Sequence, residues 1–213
     1  MISVIGIGTA ASKIAEKFKS QSNYDVYRLC GNCENSKNSF NLKTFEEPEE
    51  YEKNIPNLKS FFKDVKEDVQ VFITGSSYSS NYALGILEQI KDKKIEVFYV
   101  KPDTELLTGV PKLIENAVYG VLQEYARSGL LKSLTIFSNT ELEKSLSDIS
   151  IKNYFDMINQ AIFSSVHYTN FFKYTDPEIG QISKPLEINR ICSIGALDIK
   201  NMSGDEIKAK TEA

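Results

Sequence analysis

Short runs rich in Val, Ile, Phe and Tyr alternate along this chain with segments of helical period. The apolar runs fall at residues 2–7, 25–30, 69–74, 95–100, 133–138 and 190–197, each short enough for a buried strand. Between them, apolar positions recur every three or four residues at 10–20, 49–65, 80–91, 110–127 and 139–146, which predicts helices. Strands that alternate with helices predict a three-layer α/β fold: a mostly parallel, Rossmann-like sheet covered by helices on both faces. The longest helical period runs from Ser150 to Tyr174, with apolar positions at Ile151, Tyr154, Phe155, Ile158, Ala161, Ile162, Val166 and Phe172. At 1.5 Å per residue this helix is roughly 35 Å long, the width of a domain. Ser150 is its expected N-cap, and Pro177 and Gly180 follow its end.

The polar, acidic stretch 35–57 predicts a surface excursion with a weak helix at its end. Residues 1–200 are expected to form one domain and 201–213 a flexible tail. A net charge of −4 provides no basic field for a nucleic-acid backbone. No apolar run is long enough to cross a bilayer, and the apolar N-terminus lacks the basic flank of a signal peptide, so a cytoplasmic protein is expected. Cys30 and Cys33 form a CxxC pair, but loop-like residues follow it, where a redox motif would open a helix. Cys192 and His167, the other candidate zinc ligands, are far away in sequence. Two reduced thiols at a strand end are therefore expected, with no metal site.

In a parallel sheet, ligands sit beyond the carboxyl ends of the strands, so the residues that follow each strand carry the chemistry. After the first strand comes Gly6-Ile-Gly8-Thr9-Ala10-Ala11-Ser12, where glycines let backbone approach a phosphate at a helix N-terminus. The same residues fit a loose dinucleotide fingerprint, but the second strand ends Leu29-Cys30-Gly31-Asn32, without the acid that holds a ribose. After the third strand, Gly75-Ser76-Ser77-Tyr78-Ser79-Ser80-Asn81 offers hydroxyls and N–H groups to an anion, or simply caps a helix. After the fifth, Asn139 presents both a donor and an acceptor to a base, and also suits a helix N-cap.

These loops, in this order and ahead of a long helix, resemble the nucleotide-binding domain of the tubulin/FtsZ family over about residues 2–174. Residues 71–81 stand where that family writes its GGGTG[ST]G signature, and only the first glycine, Gly75, is kept. Lys101-Pro102 is similar to the family's Lys-Pro strand end, and Asn139-Thr-Glu-Leu142 to the segment whose Asn reads guanine. In the long helix, Tyr154-Phe155-Asp-Met-Ile-Asn159-Gln160 resembles the segment that packs on guanine, with Asn159 in the base-reading place. The resemblance implies a nucleotide site of Gly6, Gly8, Thr9, Ala10, Gly75, Ser76, Ser77, Tyr78, Ser79, Ser80, Asn139, Phe155 and Asn159. Its ligand would be GTP or GDP, accompanied by Mg. Its implied partners are this chain itself or another tubulin/FtsZ-like protein, with no nucleic acid or membrane.

The family's hydrolytic acids, supplied by the next subunit from the loop after the long helix, have no counterpart at their usual spacing. Asp176 and Glu178 are the acids present there. The family's second domain is expected to be missing or reduced to the strand at 190–197. The resemblance thus implies a guanine-nucleotide-binding protein with little or no GTPase activity. Two alternatives stay open: a nucleotide-free scaffold that acts through its surfaces, and an NAD(P)-dependent oxidoreductase built on the Gly6–Ala11 turn. For the second, His167 is the main catalytic candidate, and a lone helical His more often serves structure.

Overall fold

The computed structural model describes residues 1–145, 151–176, 178–180, 190–194 and 203–206. Seven strands, β1 (Ile2–Ile7), β2 (Tyr24–Cys30), β3 (Ser39–Asn41), β4 (Asp68–Thr74), β5 (Lys94–Lys101), β6 (Ser133–Ser138) and β7 (Ile191–Ser193), form one sheet in the order β3-β2-β1-β4-β5-β6-β7. Every pairing is parallel. The helices are α1 (Thr9–Lys17), α2 (Pro48–Lys53), α3 (Tyr82–Glu88), α4 (Gly109–Ser128), α5 (Asn139–Ser145) and α6 (Tyr154–Tyr174).

Alternate residues of the central strands enter two separate cores, as the two-residue period of a strand requires. Val69, Val71 and Ile73 of β4 face one core with Ile86 of α3 and Val118 and Leu122 of α4. Phe72 of β4 faces the other with Ile14 of α1, Leu142 of α5 and Ile158, Ile162 and Val166 of α6. A sheet that is apolar on both faces must be covered on both, and α6 supplies much of the second cover.

Three expectations are corrected. The helix expected over 49–65 stops at Lys53; Asn54 and Pro56 follow, and the chain reaches β4 through turns. The excursion at 35–57 contains β3, whose residues Ser39–Asn41 pair with Arg28–Cys30 at the sheet edge. Cys30 and Cys33 are joined as a disulfide rather than standing as free thiols. The turn after β2, closed by the Cys33 N–H on the Cys30 carbonyl at 3.4 Å, brings their Cα atoms to 5.4 Å, the usual disulfide spacing. Residue 150, the expected cap of the long helix, lies outside the described residues. A 3-10 turn at Ile151–Asn153 leads into α6. Of the strand expected at 190–197, Ile191–Ser193 is β7, and 195–197 lie outside the described residues.

The register of α6 on the sheet is fixed by buried polar groups. Gln70, on the α6 face of β4, exchanges two hydrogen bonds with Asn170: its Nε2 donates to Asn170 Oδ1 at 2.7 Å, and Asn170 Nδ2 donates to its Oε1 at 2.8 Å. Gln70 Nε2 also donates to Glu96 of β5 at 3.0 Å, and Lys173 of α6 pairs with the same carboxylate. Desolvation pushes the Glu96 carboxyl up, but the contacts with Lys173 and Gln70 outweigh it and hold it below the ordinary carboxylate range. His167 belongs to this packing. Its Nδ1 lies 3.0 Å from the Tyr24 hydroxyl and its ring stacks on Phe163.

Asn170→Ala leaves both Gln70 groups without their α6 partner in a buried site and should destabilise the fold by roughly 1–3 kcal/mol. Phe155→Ala, at a side chain that is 76% exposed, should change stability by less than about 0.5 kcal/mol. Denaturant unfolding of the two variants checks the contrast.

Candidate nucleotide site at the switch point of the sheet

The strand order reverses between β1 and β4, so the helices that follow them pack on opposite faces of the sheet, the arrangement in which parallel sheets generally bind ligands at the carboxyl ends of their strands. These are the two glycine-bearing loops. After β1 the chain turns at Gly8, whose φ of 91° is open to glycine and strained for other residues. The Gly8 N–H donates to the Leu29 carbonyl at 2.7 Å, and Ser12 Oγ donates to the Gly6 carbonyl at 3.0 Å, which fixes the entry of α1. Thr9 and Ala10 open α1 and are exposed, so the first turn of that helix is accessible.

The loop after β4 reaches across to this turn. A Cβ placed on Gly8 would overlap Ser79 Oγ, so the two loops are in direct contact. Within the second loop Ser77 Oγ donates to the Thr74 carbonyl at 3.1 Å and stands 3.3 Å from Ser79 Oγ. Ser80 Oγ donates to the Ser77 carbonyl at 2.6 Å. Ser76 adopts a φ of 56°, a left-handed conformation that aims successive backbone groups differently from a regular turn. Tyr78 is turned toward the α3 side, with its ring 6.1 Å from that of Tyr51.

Asn139 is the first residue of α5, at the end of β6. Ser138 Oγ accepts the Glu141 N–H at 3.4 Å, so the capping role expected of Asn139 belongs to Ser138. The Asn139 Oδ1 is buried and has no hydrogen-bond partner among the described residues. Asn159 is half-buried and follows Ile158, which shares a core with Phe137 of β6 and Leu142 of α5. Tyr154 at the start of α6 donates to Glu143 of α5. Phe155, by contrast, projects to solvent, one turn before Asn159.

Sequence reasoning passes over Glu115. It lies on α4, is 1% exposed, and accepts a hydrogen bond from Tyr99 at 2.6 Å. A Cβ on Gly75 would collide with its Oε2 and, at 2.5 Å, with the Tyr99 hydroxyl. A glycine kept in a loop that has otherwise lost its glycines is the signal that something large presses on it. Asp176 and Glu178 follow the C-terminal end of α6. The adjoining Thr175 lines a cavity of about 350 Å³ with Met1 and Asp68, at the amino ends of β1 and β4. The two acids are thus at the opposite end of the sheet from the glycine-bearing loops.

An FtsZ dimer from M. jannaschii, solved empty, matches this chain with a TM-score of 0.67 at 12% sequence identity, over 84% of this chain and 57% of the FtsZ chain. The fold is FtsZ-like. The chain spans just over half the length of that FtsZ chain. A C-terminal deletion mutant of aldohexose dehydrogenase from Thermoplasma acidophilum matches with a TM-score of 0.39 at 13% identity, over 80% of this chain and 81% of that one, too weakly to carry an argument. No family model and no curated protein matches the sequence. No helix among the described residues is long and apolar enough to cross a membrane.

In this FtsZ-like sheet, Gly75→Ala should lower stability by about 1–3 kcal/mol, because the added methyl displaces Glu115 or Tyr99 from a packed site. Gly120→Ala, inside α4 with open space around its Cα, should raise it by about 0.5–1 kcal/mol. Thermal or urea unfolding of both variants checks the opposite signs.

Proposed function

We propose that the chain binds a guanine nucleotide in the crevice between the Gly8 and Gly75 loops and hydrolyses it slowly or not at all. The observation that carries this reading is the Oδ1 of Asn139 at the end of β6, buried and without a hydrogen-bond partner among the described residues, in a sheet of FtsZ type. A buried carboxamide oxygen without a donor costs stability unless a ligand completes it. Guanine supplies donors on its N1 and N2 edge, and the Asn139 amide would donate in return to its O6.

Two further features fit the same ligand. The Gly8 turn leads into the exposed first turn of α1, where free N–H groups favour phosphate, and the Ser79 hydroxyl packs against Gly8 beside it. The register of α6 supports a role for Asn159. Eleven residues separate it from Asn170, about 16 Å of helix. The five residues from Gln70 of β4 to Gly75 rise by about the same distance, and because α6 runs against the strands both lead toward the carboxyl ends of the sheet. Since Asn170 is bonded to Gln70, Asn159 stands level with the loops. Phe155 would close over the base from its exposed position.

The residues present suit binding better than catalysis. Hydrolysis needs a water held in line and donors aimed at the developing charge. Ser and Tyr side chains replace the glycines of the signature loop, and Asp176 and Glu178 lie at the far end of the sheet. Those acids would reach a nucleotide only on a second copy stacked end to end. No cluster of three or more His, Cys, Asp or Glu side chains able to hold a metal ion occurs among the described residues, so a Mg ion would rest chiefly on the phosphate oxygens.

In a thermal-shift panel, GTP and GDP should raise the melting temperature at concentrations where ATP and NADPH do not, by an amount equivalent to about 2–4 kcal/mol at 100–1,000 times Kd. Asn139→Leu should abolish the guanine effect while leaving the unliganded protein folded. Phosphate release should stay near background as protein concentration rises. An equal response to all four nucleotides, or a response only to NADPH, would defeat the guanine reading. Turnover that climbs with concentration and is lost in Asp176→Ala would defeat the claim of slow hydrolysis.

A further inference from the structure

Glu115 is a buried acid with a peculiar place: it lies directly beneath the turn proposed to hold phosphate. Its Oε2 occupies the space a side chain on residue 75 would need, and its Oε1 is buried with no hydrogen-bond partner among the described residues. The charged and titratable groups that face it are few. Tyr99 of β5 donates to it, and Lys101 at the end of β5 holds its ammonium 4.7 Å from the ring centroid of Tyr119 on α4. Both tyrosines interact with the acid electrostatically, and the Ser76 backbone amide contributes from the loop. Lys101 is thus placed over a ring and makes no ion pair with Glu115 among the salt bridges of the described residues.

From this geometry we infer that Glu115 sets how much phosphate charge the Gly75–Ser79 loop accepts: ionised it opposes the phosphates, and protonated it admits them. The inference rests on the nucleotide reading above and deepens it. A phosphate held by the turn and a carboxylate packed on its underside would be separated by one layer of backbone, about 6–8 Å. At an effective dielectric near 20, two unit charges at that distance change an equilibrium by on the order of 10–100-fold. Burial pushes the Glu115 carboxyl above the usual carboxylate range, against the downward pull of Tyr99, Lys101 and the Ser76 amide. A phosphate that enters therefore favours uptake of a proton by Glu115, and affinity for phosphorylated ligands rises as pH falls.

The test compares GTP and guanosine binding by calorimetry for wild type and Glu115→Gln at pH 6 and pH 8. The terminal phosphate of GTP titrates near pH 6 itself, so the difference between the two proteins isolates the side chain. Glu115→Gln should tighten GTP about tenfold at pH 8, do so much less at pH 6, and leave guanosine unchanged. Tyr99→Phe removes a hydrogen bond that favours the ionised carboxylate. It should move the pH dependence of GTP binding to higher pH, which provides the reading if Glu115→Gln fails to fold. The inference is overturned if the substitution leaves the GTP-to-guanosine ratio unchanged at both pH values. It is also overturned if GTP and guanosine weaken together, which would mark a purely structural role. Absence of binding by any of the ligands to any of the proteins would overturn the nucleotide reading itself, and this inference with it.

Discussion

The exchange of two hydrogen bonds between Gln70 and Asn170 determines where α6 lies, and much else follows from it. A glutamine in a central strand that is buried on both faces must be paired, because a lone carboxamide in an apolar layer costs more than the contact it replaces gains. Asn170 meets this need from the helix, and Glu96 and Lys173 extend the network by one strand and one helical turn. Apolar contacts alone would let a helix slide by a residue or rotate slightly on the sheet. The carboxamide pair, with its fixed donors and acceptors, specifies one register. That register places the start of α6 beside α5 and the carboxyl ends of the strands, and its end beside Met1 and Asp68. The helix thereby connects the two poles of the sheet.

The chemistry at the carboxyl pole is a mixture of retained and altered parts. The turn at Gly8 keeps a backbone conformation suited to glycine, and Ser79 packs against it, which couples the two loops. The second loop has spent several of its hydroxyls on its own carbonyls, as Ser77 and Ser80 show. Such a loop is more rigid than a run of glycines, and its side chains stand where glycine would let backbone approach an anion. Under the proposed function, such a loop would favour recognition of the base through Asn139 over the grip on phosphate that fast hydrolysis demands. The buried acid under Gly75 bears on the same balance, since in its ionised form it would oppose phosphate held by that loop.

The parallel sheet is legible in the sequence because its central strands are nearly continuous apolar runs, and no other element buries such runs on both faces. The helix of 21 residues is legible from its period, although two of its apolar positions, Phe155 and Phe172, are exposed rather than packed. β3 is invisible beforehand: Ser-Phe-Asn is three residues long, sits at an edge, and is surrounded by polar loop. The helix expected through residue 65 fails because local preference for helix in the Glu-Tyr-Lys segment ends at Asn54 and Pro56, and tertiary packing of Leu58 and Phe62 uses turns instead. The candidate loops are legible as strand-end glycines, and their convergence follows from the strand order, which no local pattern encodes. Glu115 is read as one more polar residue of an amphipathic helix. Its burial depends on the absence of a side chain at Gly75, forty residues earlier. The pairing of Cys30 with Cys33 likewise depends on how tightly the chain turns after β2.

The most direct measurement is a crystal structure of the protein grown with GDP. The account predicts density for the nucleotide across the ends of β1, β4 and β6, with the purine edge within hydrogen-bonding distance of the Asn139 carboxamide and the phosphates over the first turn of α1. Nucleotide at the opposite pole, in the cavity beside His167 and Asn170, or an Asn139 carboxamide still unpaired beside a bound base, would contradict it.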